Sequence, residues 1–273
     1  MAELPTKKQK RSKRTGLCAL TRRRGLYVKS HLIPKALTRP AYAGASFTEA
    51  GMGRRPITRF DSWYDNGLVT RLGEDILSAI DNWAIDFLRT ERMVWSGRDD
   101  DDVPGVHLFT PEHGLGIRKI AVAEPEKLRR FFLSLLWRAA ATARPEFSEV
   151  QIPADDLERL RRYLLGDEKL PIGFYPATLT QIPDRGEPHN LVPLAQVKHV
   201  PDPDGGKPRQ ERIFRFYLDG IVVHILREPM REHVPDPSPL VVGAQDELVI
   251  TIVPWTESFE LKNLVTVMME SAG

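Results

Sequence analysis

From Leu72 onward the chain changes character. Ile76, Ile80, Trp83, Ala84, Phe87 and Leu88 recur at helical spacing and predict an amphipathic helix over 73–92. A second apolar stripe, from Leu128 through Phe131, Phe132, Leu135 and Leu136 to Ala139, predicts a core helix from about Pro125 to Ala143. Pro125 suits its first turn, and Glu124 and Glu126 sit near the positive end of its dipole. "PADDLERLRRYLLGDEKLP" (153–171) predicts a third helix, introduced by Pro153 and Asp155 and ending at Gly166. After 172 the pattern turns to strands: "GFYPATLTQI", "LVPLAQVKHV", "RIFRFYLD", "GIVVHILRE" and "ELVITIVPW". "VPDPDGGKPRQE" reads as a long hairpin loop between two of them, and "SFELKNLVTVMMES" as a closing helix.

Before Leu72 there is little periodicity. Residues 16–60 are rich in Arg, Gly, Pro and Thr, with "GLYVKS" (25–30) the best strand candidate. The expected fold is therefore α+β, with a loop-rich N-terminal module, a helical middle and an antiparallel C-terminal sheet. The divisions fall at 1–15 (a flexible basic tail), 16–95 (a basic module), 96–171 (helical) and 172–273 (the sheet packed on the helices).

Charge adds an asymmetry. The formal net charge is +2, yet residues 1–59 carry fifteen Lys and Arg against only Glu3 and Glu49, so the rest of the chain is acidic. A basic N-terminal arm is an electrostatic footprint for nucleic acid; the alternatives are a solvated tail or docking on an acidic surface. The longest apolar run, near "FFLSLLW" (131–137), is short of the roughly 20 residues that span a bilayer, so no membrane association is expected. No apolar segment follows the basic N-terminus, and the single cysteine, Cys18, forms no internal disulfide; both fit a cytoplasmic location.

The chemistry gathers around "KSHLIPK" (29–35). A ββα-metal nuclease needs a histidine that takes a proton from the attacking water, and a divalent cation that stabilises the charge developing on phosphate. Its frame is a strand carrying the histidine, a second strand, and a helix presenting ligands. "GLYVKSHLIP", then "RFDSWYDNGLVTRLGEDIL", then the helix at 73–92 supply that order.

"SHLIPKAL" (30–37) resembles the S-H-I-I-P-K signature of bacterial proteins of the HNH (ββα-metal nuclease) superfamily, where it lies between two zinc knuckles. "RRFFLSLLWRAA" (129–140) and "LERLRRYLLG" (157–166) resemble an S-L-x-W-R helix and a following L-L-G helix of the same proteins, so the resemblance spans about 15–170. It implies His31 as general base, with Asn66 and Glu74 as its catalytic companions and Asp65, Asn66 and Glu74 holding Mg²⁺. Departures are plain. The upstream knuckle would need cysteines at 15 and 18, and the chain has Thr15 and Cys18; the downstream one falls at Thr70 and Gly73. With three of four thiolates missing, no structural zinc is expected. Ser30 stands where an active enzyme often has a metal-binding Asp or His, and Glu74 where a second His is expected.

Arg22, Arg23, Arg24, Lys29, Lys35, Arg54 and Arg55, with Arg59, surround the motif and would track a phosphate backbone. Elsewhere, Asp99 to Asp102 read as a solvated loop, and His107 and His113 as loop residues. His189 and His199 flank a strand, and His224 reads as a strand residue on a polar face. The expected function is nucleic-acid binding by a degenerate HNH-like module, with nuclease activity weak or conditional, in a bacterial or phage-defence setting. The alternative is a non-catalytic adaptor subunit of a protein or nucleoprotein complex.

Overall fold

The computed structural model describes residues 14–38, 47–51, 54–59, 62–99, 102–187, 189–200, 205–228 and 238–272; 47–51, 54–59 and 270–272 are described by backbone alone. β1 (Thr15–Leu17) and β2 (Arg24–Leu26) form an antiparallel hairpin. β3 (Ser30–His31) is the first strand of a split pair. β4 (Phe47–Gly51) and β5 (Arg54–Arg59) follow it, and β6 (Tyr64–Asp65) then returns to pair with β3 antiparallel. α1 (Arg71–Thr90) begins at once.

β7 (Val106–Thr110) and β8 (Leu115–Ala121) precede α2 (Pro125–Ala141) and α3 (Ala154–Leu165). Then come β9 (Ala177–Gln181), β10 (His189–Leu191), β11 (Leu194–Val200), β12 (Arg209–Leu218), β13 (Ile221–Leu226), β14 (Glu247–Ile252) and α4 (Phe259–Ala272). The fold is α+β. A seven-stranded sheet in the order β11-β12-β13-β9-β14-β8-β7 is antiparallel except for the parallel pair β14–β9. A small sheet, β10-β4-β5, carries the excursion after β3 to the C-terminal half, where α4 packs on it.

The three expected helices form close to where periodicity places them. α2 starts with Pro125 in its first turn, and α3 ends at Gly166, whose φ of 84° is the left-handed conformation glycine favours. β11 and β12 are the two arms of the expected hairpin. β12 and β13 turn through Asp219 and Gly220 with φ of 49° and 88°, the positive pair that a two-residue hairpin of type I′ requires.

The stretch 106–121, expected as loop within a helical region, instead supplies two strands. β7 is an edge strand with exposed Leu108 and Phe109, and β8 turns Gly116, Arg118 and Ile120 inward. Its buried face is thus partly glycine and arginine, which hides the alternation. Buried Arg118 donates to the Glu91 carbonyl (2.7 Å) and to Gln181, whose amide donates to the carbonyls of Arg92 and Met93. The end of α1 is so tied to the sheet. One apolar cluster runs from Cys18 and Trp63 through α1 and α2 to β12, β13 and α4.

Candidate functional site

β3 and β6 set Ser30 opposite Asp65 and His31 opposite Tyr64. The His31 ring meets the Tyr64 ring edge-on at 6.2 Å, and the Lys29 ammonium lies 4.1 Å over the centre of the same ring. His31 and Lys29 therefore both contact the Tyr64 ring, Lys29 over its face as a cation–π pair. Lys35 opens a single helical turn after Pro34.

Asp65 is held on both oxygens. Oδ1 accepts the Gly67 N–H at 2.7 Å and Oδ2 accepts the Thr142 hydroxyl at 2.6 Å. These two bonds anchor β6 to the end of α2 and leave one lone pair on each oxygen. Asn66 is exposed, next to Asp65. Glu74 lies in the first turn of α1, and its Oε2 is sealed from solvent without a hydrogen bond. Ser30 is 1% exposed, and its hydroxyl likewise lacks a partner. Among the described residues no three His, Cys, Asp or Glu side chains gather as a metal would require.

Of the four positions where a zinc-bound relative would carry its knuckles, Cys18, Thr70 and Gly73 lie together and Thr15 does not. Thr15 pairs with Leu26 at the open end of the β1–β2 hairpin, on an exposed strand. Beside Cys18 stands Thr21, whose backbone N–H points at Sγ from 3.4 Å. Thr70 hydrogen-bonds the thiol from the other side, and a Cβ on Gly73 would come within 2.7 Å of Sγ. Cys18, Thr21, Thr70 and Gly73 thus occupy one spot, and backbone bonds from Ala19 to Leu68 and Val28 to Val69 lace it shut. Burial raises the Cys18 thiol, but hydrogen bonds from Thr21 and Thr70 outweigh it and hold the group below its ordinary range.

Of the basic residues, Arg23 and Arg24 are exposed. Arg22 is ion-paired with Glu158 on α3 at 3.3 Å. Glu158 also grips Arg161, which donates to the Leu20 carbonyl at 2.9 Å and so docks the β1–β2 turn on α3. Its hydrogen bond with Arg161, and then that with Arg22, hold the Glu158 carboxyl down at about 2. Arg54 and Arg55, and Arg59 with them, lie on β5, and their side chains are outside the described residues.

Two residues of the S-L-x-W-R stretch, assigned no role from the sequence, hold the site in place. Arg138, 1% exposed, donates to the His31 carbonyl and makes a two-pronged contact with Asp81 on α1. Ser134, one turn earlier, accepts from the same guanidinium, so Ser134 and Arg138 of the "SLLWR" stretch form a buried support under β3. A Ser and an Arg spaced i, i+4 on the apolar side of a helix was the available signal. Arg144 adds a bond to the Tyr64 carbonyl at 2.8 Å.

No family model matches the chain, and no curated protein or solved structure matches it. Among the described residues no helix is long and apolar enough to cross a membrane.

Proposed function

We propose that the chain binds nucleic acid through the basic surface around His31, on a module descended from an HNH-type nuclease whose cleavage is impaired. The observation that carries this reading is the strand–strand–helix order of β3, β6 and α1, with His31 and Lys29 both against the Tyr64 ring. Arg23 and Arg24 extend the cationic surface, which would neutralise backbone phosphates without reading sequence. In a cleaving enzyme His31 would take the proton of the attacking water. Asp65, Asn66 and Glu74 would be the oxygen donors for Mg²⁺, a hard cation that favours such ligands. The two hydrogen bonds give Asp65 a structural role in anchoring β6, which a non-catalytic adaptor, the second reading, would retain.

Wild type and His31→Ala are compared on plasmid and single-stranded substrates with Mg²⁺ or Mn²⁺, and in gel shifts across a salt series. Binding that weakens steeply with salt, and falls when Arg23 and Arg24 become glutamine, supports the interface. Binding indifferent to salt and to those changes would remove it. Equal cleavage by wild type and His31→Ala would end the general-base role.

A further inference from the structure

The underside of α4 holds a second concentration of positive charge, far along the chain from His31. Arg215 on β12 is 4% exposed. It lies opposite Leu194 of β11 and His224 of β13 in register, so Gln196 and Lys198 project from β11 on the same face. Nε of Arg215 donates to Nε2 of His224 at 2.8 Å, and Nη1 donates to the Gln196 side-chain carbonyl. The guanidinium lies 4.3 Å under the Phe259 ring, and the Lys262 ammonium approaches the same ring at 5.7 Å. Asn263 closes the group by hydrogen bonds with Gln196 and the Tyr217 hydroxyl.

What this group lacks is negative charge. Among the described residues no carboxylate pairs with Arg215, Lys198 or Lys262. Two acids close by have other partners: Glu260 faces His189 at 2.8 Å, and Glu211, opposite Lys198, pairs with Arg209. A guanidinium is retained in a protein interior when an anion or a full set of hydrogen bonds compensates it. Here its partners are a neutral imidazole, an amide and the Tyr217 hydroxyl, with a second cation beside it and no carboxylate. Burial pushes both Arg215 and Lys198 below their ordinary ranges, and the charge of Glu211 across the strand offsets this for Lys198 only in part. Ser258 caps the first turn of α4 through its hydroxyl, so the side chains rather than the helix end make the site. Phe259, 46% exposed, lies at its mouth.

We propose that Arg215, Lys198 and Lys262 bind a phosphate-sized oxyanion carried by a free small molecule, with Gln196 and Asn263 orienting the guanidinium. A planar guanidinium with unused N–H donors suits two oxygens of such a group, and the two lysines supply charge.

The test uses the full chain and inorganic phosphate. Thermal unfolding is followed across a phosphate series and a chloride series of equal ionic strength. Phosphate is expected to raise the melting temperature saturably and chloride to leave it nearly unmoved, since only a ligand of the native state stabilises by mass action. Lys198→Gln and Lys262→Gln should each weaken the phosphate midpoint about threefold or more, as loss of one partly screened charge predicts. Lys119→Gln, on β8, should leave it unchanged. Arg215→Gln should abolish the effect, and the two lysine variants decide the matter if that one does not fold. Equal shifts in phosphate and chloride, or midpoints untouched in both lysine variants, would overturn the site. So would a fluorescent ten-nucleotide strand that needs Lys198 and Lys262 while phosphate does not, for the ligand would then be a polymer backbone.

Discussion

The guanidinium of Arg138 donates to the backbone carbonyl of His31 across 3.3 Å while both its Nη atoms hold the Asp81 carboxylate, at 3.0 and 2.6 Å. Three segments meet in that contact: β3, α1 and α2. The pair is buried, with side-chain exposures of 1% and 15%. A charge pair so placed contributes less through attraction than through the damage its loss does, because the surviving partner is left unpaired.

Removing the Arg138 head group should therefore be costly. Arg138→Ala is expected to lower stability by about 3–5 kcal/mol, the usual range for breaking a buried pair from one side. Arg138→Lys should recover only part, since a point charge cannot reach Asp81 on two oxygens and the His31 carbonyl together. Urea unfolding of the two variants checks this. A loss below about 1 kcal/mol for Arg138→Ala, the range of exposed pairs, would mean that the clamp does not hold β3.

Gly73 makes a second, more local prediction. It sits in the first turn of α1, where alanine normally gains about 1 kcal/mol over glycine. Here a Cβ would meet Cys18 Sγ at 2.7 Å and Val69 Cβ at 3.1 Å. Gly73→Ala should destabilise by about 1–3 kcal/mol through overpacking. The cost should shrink when Cys18 is also alanine, because the closest atom is then gone. A double-mutant cycle read by chemical denaturation gives the coupling; independent, additive effects would show that the two positions do not share one packed spot.

That spot also shows what the sequence could and could not disclose. Thr15 and Thr21 stand three residues before and three after Cys18, so spacing alone cannot say which faces Thr70 and Gly73. The turn decides: Cys18 N–H bonds the Arg23 carbonyl, Arg22 N–H bonds the Cys18 carbonyl, and Arg22 takes a φ of 57°. These long-range and left-handed features leave no mark in composition. The helices were legible because their apolar faces repeat over many turns. β8 was not, because Gly116 and Arg118 occupy inward positions that alternation assigns to aliphatic residues. Arg118, Arg129, Arg138 and Arg215 are all core residues whose hydrogen-bond partners include carbonyls, amides and an imidazole, and the first three also face carboxylates, Glu91, Glu126 and Asp81 respectively. His224 was expected on a polar face; it is buried, and the polarity of that face is Arg215 itself.

Two buried histidines should shape the pH dependence with opposite signs. Burial, then the charges of Arg215 and Lys198, push His224 down to about 3. The unfolded chain takes up a proton near pH 6.5 that native His224 refuses, so stability falls as pH drops from about 6.5 toward 3. Burial lowers His189 as well, but the Glu260 carboxylate at 2.8 Å outweighs it, so His189 is raised. Its contribution is complete below about pH 6.5 and is lost as pH rises through the raised value. Denaturation between pH 4 and 9 should show the acid limb flattened in His224→Gln, whose amide oxygen still accepts from Arg215, and the alkaline limb flattened in His189→Gln. Limbs of unchanged slope in both variants would assign the pH dependence to other groups, Glu158 among them.

Glu158 carries the last prediction, which joins fold to function. Its pair with Arg22 is exposed on both sides, 57% and 41%, and such pairs are worth at most about 1 kcal/mol. A nucleic-acid phosphate can therefore draw Arg22 away at small cost. Glu158→Gln removes that competition and one negative charge from the rim of the basic surface. Nucleic-acid affinity should rise several-fold, and the plot of log K against log salt should steepen by about 0.9, the slope for one added phosphate contact on duplex DNA. Stability should fall only modestly, since Arg161 keeps its bond to the Leu20 carbonyl. Affinity and salt slope measured by anisotropy on wild type and variant decide it. An unchanged slope would leave Arg22 as a structural residue of the α3 contact and confine the interface to Arg23, Arg24 and the Lys29 side of Tyr64.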